Sequence, residues 1–434
     1  MIEDTVYRTS SQYRFWSFTE DSLRTLRAKT NASASERVRT AIQTKRQSGL
    51  SSTGDTPVST PGSNVATDDG KLKAKEDEIQ CLTPEEEQVL VRYYCEQTLE
   101  LGDVYKPALP TIVRATAIQY LHRFYLTNSP MTYHPKTIMS CALFLATKTE
   151  NYYMSLRQFA KNIPGGTPED VIAPEFLLMQ SLRFTFDVRH PFRGLEGGVM
   201  ELNAIAQGMG QPAPHLPHQT PEDLRKDLLS ILPQQGQAQR PTSITDRIAR
   251  AHGKAREILK TAAQVTDVYF LYTPAQIWLS AFFLADKPLA EFYLNTKLGP
   301  DQKNQADQSQ QQQQNSLSAL RGKVLKTITH CSNTLQSYKP LSSDIEQMKN
   351  LKRIAKKLYH CQNPEKIGAG VSQKRDASAA GSGVSGAAAD SGKAVSESGQ
   401  TEPVSKKRRL ESAMGDGDNK GISGQDLANR VKEE

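Results

Sequence analysis

Tyr133–Lys148 reads YHPKTIMSCALFLATK, and Tyr272–Lys287 reads YTPAQIWLSAFFLADK. Eight of the sixteen positions agree without a gap at a separation of 139 residues: Tyr, Pro, Ile, Ala, Phe-Leu-Ala and the closing Lys. In the first copy Ile138, Met139, Cys141, Ala142, Leu143, Phe144, Leu145 and Ala146 leave a helix almost no polar face. Such a helix belongs in the middle of a bundle. Ser140, Ala142 and Ala146 are small enough to let neighbouring helices come close. The agreement indicates one structural unit used twice, each copy built around a buried helix.

Working outward from the first copy, Thr83-Pro84-Glu85-Glu86 is a capping box with proline at the first helical position. Val89, Leu90, Tyr93, Tyr94 and Leu99 continue it as an apolar stripe. A second helix from near Pro110 carries Ile112, Thr116, Tyr120 and Phe124 on one face. A fourth opens at Ser155 with Gln158 three residues on, again a capping box. A fifth is predicted over 169–182, with Ile172, Phe176, Leu177, Met179 and Leu182 inward; Pro174 kinks it or marks its true start. Residues 81–190 thus read as a compact five-helix domain.

Residues 191–340 follow the same order of helices with insertions. A Gly-, Pro-, His- and Gln-rich excursion occupies 207–244, with a short helix near 221–229, and a Gln-rich stretch at 300–316 reads as a disordered loop. Residues 1–30 form a docking segment marked by Phe15, Trp16 and Phe18, then a short helix with Thr19 as N-cap. Residues 31–80 are Ser/Thr/Gly/Asp/Lys-rich and read as a disordered insert. A C-terminal helix spans 341–360, opened by a capping box at Ser343–Glu346 and striped by Ile345, Met348, Leu351, Ile354 and Leu358. The tail, 361–434, has too few large apolar residues to offset the entropy of ordering. The fold class is all-α: tandem five-helix units with additional N- and C-terminal helices.

Bulk properties fit this division. The chain has 434 residues, room for two or three domains, and a hydrophobic fraction of only 37%, as expected when disordered segments dilute the cores. A net charge of +7 permits an acidic partner without demanding nucleic acid. Five scattered cysteines without a CxxC read as reduced thiols, Cys141 among them as a buried one. The absence of an apolar leader or a membrane-length apolar run predicts a soluble intracellular protein with no membrane partner.

Little in the sequence suggests catalysis. It contains no kinase Gly-rich loop, HRD or DFG. Gly165-Gly166 and Gly197-Gly198 are isolated pairs, and His215 and His218 sit in a Pro/Gln-rich loop without metal-ligand context. No catalytic residue, cofactor or metal is expected. Lys406, Lys407, Arg408 and Arg409, after Pro403, form a compact basic cluster that reads as a nuclear-import signal. No aromatic interleaving accompanies it, so direct nucleic-acid contact is not expected.

Two five-helix units around buried third helices resemble the double cyclin fold. Ser10–Phe18 (SSQYRFWSF), Tyr105–Pro110, Arg123–Leu126, Tyr133–Pro135, Phe144–Lys148, His190–Arg193 and Leu271–Ile277 go further and resemble the cyclin H branch of that family, fungal-like with inserts. The likeness covers about 10–30 and 82–360. It implies a non-catalytic subunit that binds and activates a cyclin-dependent kinase, with a RING-containing assembly factor and core transcription factor IIH as further partners. The substrate implied is the C-terminal repeat of RNA polymerase II, and the location the nucleus. It also implies that Lys148 and Glu175 form a pair holding the kinase's regulatory helix, aided by Phe144, Leu145, Leu177, Leu178 and Trp16. Lys287 has only Lys323 and Lys326 opposite it, which predicts that the first unit alone grips the kinase. Another transcriptional cyclin of the C, K, L or T type is the alternative. A transcription-factor-IIB-like adaptor is a more distant one, because residues 1–80 hold no zinc ribbon.

Overall fold

The computed structural model describes residues 2–51, 80–214, 219–231, 243–299 and 308–363, and among these every regular element is a helix. The basic cluster at 406–409 and the tail lie outside the described residues.

The first unit begins with α4 (Pro84–Val104), following the N-terminal helices α1 (Ile2–Thr9), α2 (Ser11–Trp16) and α3 (Glu20–Ser51). Thr83 caps α4 as the sequence predicts: its hydroxyl accepts from Glu86 N, and Glu86 reaches back to Thr83 N. α5 (Thr111–Thr127) and α6 (Pro135–Thr149) follow. α6 is buried on nearly every side, from Ile138 through Thr147. It packs on α4, α5, α8 (Pro168–Ile172) and α9 (Glu175–Ser181), with α7 (Leu156–Lys161) alongside α8. Burial pushes the Cys141 thiol up to about 12, so it is an inert core group.

The second unit comprises α10 (Phe192–Ala206), α11 (Pro221–Ser230), α12 (Ile244–Lys260), the short α13 (Ala262–Val265) and α14 (Val268–Leu271), α15 (Pro274–Ala285), α16 (Lys287–Leu298) and α17 (Gln308–Ser337). α15, the repeat of α6, is the hub, contacting α10, α12, α16 and α17. Its Trp278 lies directly on α10 because two glycines make room. A Cβ at Gly194 would stand 2.4 Å from the indole, and one at Gly198 2.7 Å. A 3₁₀ turn (Leu341–Ser343) leads to α18 (Ile345–Gln362).

The structure corrects three expectations and decides between two readings of a fourth. The insert expected at 31–80 is helical to Ser51, because Ala34, Val38 and Ile42, spaced four apart, bury against Leu351, Ile354 and Leu358 of α18. The loop expected at 300–316 is helix from Gln308 onward. The helix expected over 169–182 is two, α8 and α9, and Pro174 marks the true start of the second, one of the two readings its position allows. α18 is capped by Asp344, not Ser343; the Asp344 carboxylate accepts from Glu346 N at 2.8 Å while Ser343 closes the 3₁₀ turn.

The N-terminal segment ties the two units together. Phe18 N donates to Phe270 O (2.8 Å), and Arg27 makes a bidentate pair with Asp267 (2.7 and 2.6 Å) in the second unit. In the first unit, Thr30 donates to Leu126 O and Asn31 to Leu82 O, both at 2.7 Å. A buried polar chain also crosses the junction. Gln264 donates to the Tyr269 hydroxyl (2.8 Å), which meets His190 Nδ1 (2.9 Å), and His190 Nε2 meets the Thr116 hydroxyl (2.9 Å). Burial drives the His190 imidazole down to about 3 and His122, beside the Gln264 carbonyl, to about 4, so both are neutral in the folded state.

Candidate kinase-docking face of the first unit

Lys148 stands in the last turn of α6, where the helix dipole favours a cation, and Glu175 is the first residue of α9, where it favours an anion. The break at Pro174 puts that helix start within reach, and Lys148 Nζ bonds Glu175 Oε1. The lysine also sits 4.8 Å above the Phe144 ring. Lys148 is 42% exposed and Glu175 15%, so the pair forms the floor of an open surface and keeps donor capacity to spare.

Hydrophobic groups flank it. Phe176 is 60% exposed and Phe184 57%, with ring centroids 6.5 Å apart. Phe184 is turned outward by a left-handed bend: Arg183 and Phe184 both have φ of 55°. Two successive non-glycine residues there cost about 1–2 kcal/mol each, strain of the kind that gathers at functional sites. Arg183 then lies 5.6 Å over Phe15 and the same distance over Trp16, continuing the patch to the N-terminal segment.

Of the expected contact residues, Lys148 and Glu175 are brought together and Leu177 is half-buried. Phe144, Leu145 and Leu178 are core residues, because α6 is enclosed all round and Leu178 is on the inward face of α9. Trp16 is likewise only 2% exposed. Its Nε1 donates to Thr185 Oγ1 (3.0 Å) and its ring lies 5.1 Å from the Arg123 guanidinium, so it anchors α2 to the first unit. In the free chain these four side chains offer a partner almost no surface. Phe176, expected inward, and Phe184 supply the exposed apolar groups in their place. The break at Pro174 was the sequence signal for this, since it rotates α9 away from a continuous stripe.

The second copy is built differently at its lysine. α15 stops at Ala285, Asp286 caps α16 by accepting from Leu289 N (3.1 Å), and Pro288 follows. Lys287 therefore opens a helix where Lys148 closes one. Its side chain is about half exposed, 5.4 Å from the Phe283 ring and 3.9 Å from Glu291 one turn on. Asp286 is instead held inside the unit by Arg247, at 2.7 and 2.9 Å, with side chains 2% and 3% exposed. Among the described residues no cluster of three His, Cys, Asp or Glu could hold a metal ion, and no helix is long and apolar enough to cross a membrane.

Comparison with known proteins agrees with this geometry. The cyclin N-terminal domain family matches residues 103–187, and a cyclin C-terminal domain family matches residues 190–336. The cyclin CCL1 of Saccharomyces cerevisiae is 30% identical over 295 residues, 68% of this chain and 62% of that protein. The cyclin mcs2 of Schizosaccharomyces pombe is 30% identical over 299 residues, 68% of this chain and 74% of that protein. A chain in the structure of the CAK complex from Chaetomium thermophilum bound to ATP-gamma-S superposes with a TM-score of 0.60 at 30% identity, covering 89% of this chain and 100% of that one. With two helical units on one repeated hub, and these relatives matched along both, the chain belongs to the cyclin family.

Proposed function

We propose that the chain is a cyclin H-type regulatory subunit that binds and activates a cyclin-dependent kinase in a kinase-activating complex joined to transcription factor IIH. The observation that carries this reading is the Lys148–Glu175 pair on one unit only, flanked by exposed Phe176 and Phe184. The likeness to a chain of the CAK complex, running along most of both chains, supports it.

The mechanism is allosteric, and the kinase supplies every catalytic residue. The charged pair offers donors and acceptors to backbone groups at the end of the kinase's regulatory helix, while the aromatics bury against its side. Docking presses that helix inward, so that its glutamate pairs with the ATP-positioning lysine and the activation loop is placed. The complex would phosphorylate the C-terminal repeats of RNA polymerase II. A RING-containing factor would stabilise the assembly, and the cluster Lys406–Arg409 would carry the chain to the nucleus.

The test is affinity purification of the full chain with mass spectrometry of its partners, followed by a kinase assay on polymerase-tail peptide. Recovery of the kinase-activating kinase and of cyclin-dependent phosphorylation is the expected result. Recovery of a different kinase overturns the assignment.

A further inference from the structure

The segment after α9 begins with the left-handed bend at Arg183 and Phe184, both with φ of 55°. The bend closes on the end of α9: Phe184 N donates to Met179 O and Thr185 N to Leu182 O, each at 3.0 Å. Two successive non-glycine residues in this backbone region persist only where their surroundings over-determine them. Groups from two elements do so here. From α5, the Tyr120 hydroxyl donates to Phe186 O (2.8 Å), and the Arg123 guanidinium donates to Thr185 O and Asp187 O (both 3.3 Å). From α2, Trp16 Nε1 donates to Thr185 Oγ1 (3.0 Å), and Gln12 Oε1 accepts from Arg189 N (2.7 Å).

The Arg123 support itself depends on α2. Arg123 is 2% exposed, donates to Gln12 Oε1 at 3.3 Å and lies 5.1 Å from the Trp16 ring. Arg183, the first residue of the bend, is held at 5.6 Å over both Phe15 and Trp16. Trp16 and Gln12 are buried, so neither presents a surface to a partner. What they hold is the bend, and the bend turns Phe184 to solvent beside Phe176.

We propose that α2 is a positioning element for the docking face: Trp16 and Gln12 hold residues 183–189 in the bend that presents Phe184, and so act on kinase binding without touching the kinase. This role rests on the reading of the Lys148–Glu175 face as the one that docks a kinase. It links the N-terminal segment to that face through one hydrogen-bonded stretch of backbone, with Thr185 as the point where the two meet.

The full-length protein is titrated against the catalytic subunit of the kinase-activating kinase, and amide exchange is read residue by residue in the free chain. Trp16→Phe keeps a ring beside Arg123 and Arg183 but loses the bond to Thr185. Loss of one such bond corresponds to about two- to tenfold. Exchange at the Phe184 and Thr185 amides should quicken by about that factor, with exchange in α15 unchanged, and kinase affinity should fall by a similar factor. Thr185→Val removes the same bond from the other side and should match it. In a Phe184→Ala background Trp16→Phe should cost no further affinity, because the side chain it positions is gone. Unchanged affinity in Phe184→Ala overturns the docking reading and this role with it. Affinity lost in Phe184→Ala, with wild-type exchange or wild-type affinity in Trp16→Phe, overturns the positioning role alone. So does an equal loss from Trp16→Phe in both backgrounds, which marks a general structural effect.

Discussion

Replacing Lys148 by alanine separates the role of the Lys148–Glu175 pair in the fold from its role in docking. In the free chain the lysine is 42% exposed, so its ion pair is screened by water and contributes about 0.2–1 kcal/mol. The contact with the Phe144 ring adds about 0.5–1 kcal/mol. Lys148→Ala should thus lower unfolding free energy by about 1 kcal/mol, within the margin of a domain of this size. In the proposed kinase interface the same pair would be desolvated, and truncating one member of a buried, hydrogen-bonded charge pair costs about 2–5 kcal/mol. That corresponds to a loss of about 30-fold to several thousand-fold in affinity. Glu175→Ala should lose as much, because it leaves Lys148 to enter the interface uncompensated, and the double variant should be no worse than either single one. The assay is titration of purified cyclin against the catalytic subunit of the kinase-activating kinase, paired with urea denaturation of each variant. Lys287→Ala, about half exposed at a helix start, should move neither readout. Affinity retained within threefold in Lys148→Ala would refute the placement of the docking face. Destabilisation beyond about 3 kcal/mol would refute the partition between surface and interface.

Other perturbations test the scaffold that presents this face. Gly198→Ala drives a methyl against Trp278 and should lower stability by about 1–3 kcal/mol in urea unfolding, with Trp278→Leu relieving part of the loss. Asp286→Asn leaves the Arg247 guanidinium buried without its carboxylate and should cost about 3–5 kcal/mol by denaturation, the largest single effect outside the apolar core. Phe176→Asp should weaken kinase binding while unfolding free energy stays within about 0.5 kcal/mol, since the ring is already in water. Stability should fall as pH drops from about 6.5 toward 4. His122 and His134 titrate near 4 and His190 near 3 when folded, against 6.5 unfolded, so the unfolded chain binds up to three more protons in that window. Glu87, raised to about 7 from 4.5 by burial, opposes them with one proton bound by the folded state. The three histidines outnumber Glu87, so the profile should slope downward on acidification, and a flat profile between pH 6.5 and 5 would contradict it.

The architecture was legible because the repeated stretch is apolar on every face, and few folds bury a helix so fully twice. The α4 cap was legible for a local reason, since a Thr-Pro-x-Glu sequence satisfies orphan amides in any context. The extension of α3 to Ser51 was not. Its surface is Ser, Thr and Arg, and composition outweighed the three residues that settle it, Ala34, Val38 and Ile42. Those residues form a stripe only once α18 provides a partner, and that partner is about 300 residues away. The docking face was read in part. The resemblance to cyclins singles out Lys148 and Glu175, but which aromatic faces water depends on how α9 rotates after Pro174, and that is a tertiary fact. Trp16 misled for the opposite reason. A tryptophan in a polar tail looks like a surface anchor until Arg123, Arg183 and Thr185 close around it.

The two lysines at the ends of the repeat show how one unit acquires a charge pair between helix ends that its twin lacks. In the first copy Thr147 is buried and the helix runs through to Thr149, so Lys148 sits where backbone carbonyls attract a cation, and a carboxylate at the next helix start completes the charge pattern. In the second copy the residue before the lysine is Asp286, and the one after it is Pro288. The aspartate turns inward to neutralise Arg247, caps a new helix and ends the old one, which places Lys287 at the helix end that repels a cation. The aspartate that fastens the second unit is therefore the same residue that denies Lys287 a helix C-terminus. The asymmetry between the two lysines follows from where a helix is allowed to stop.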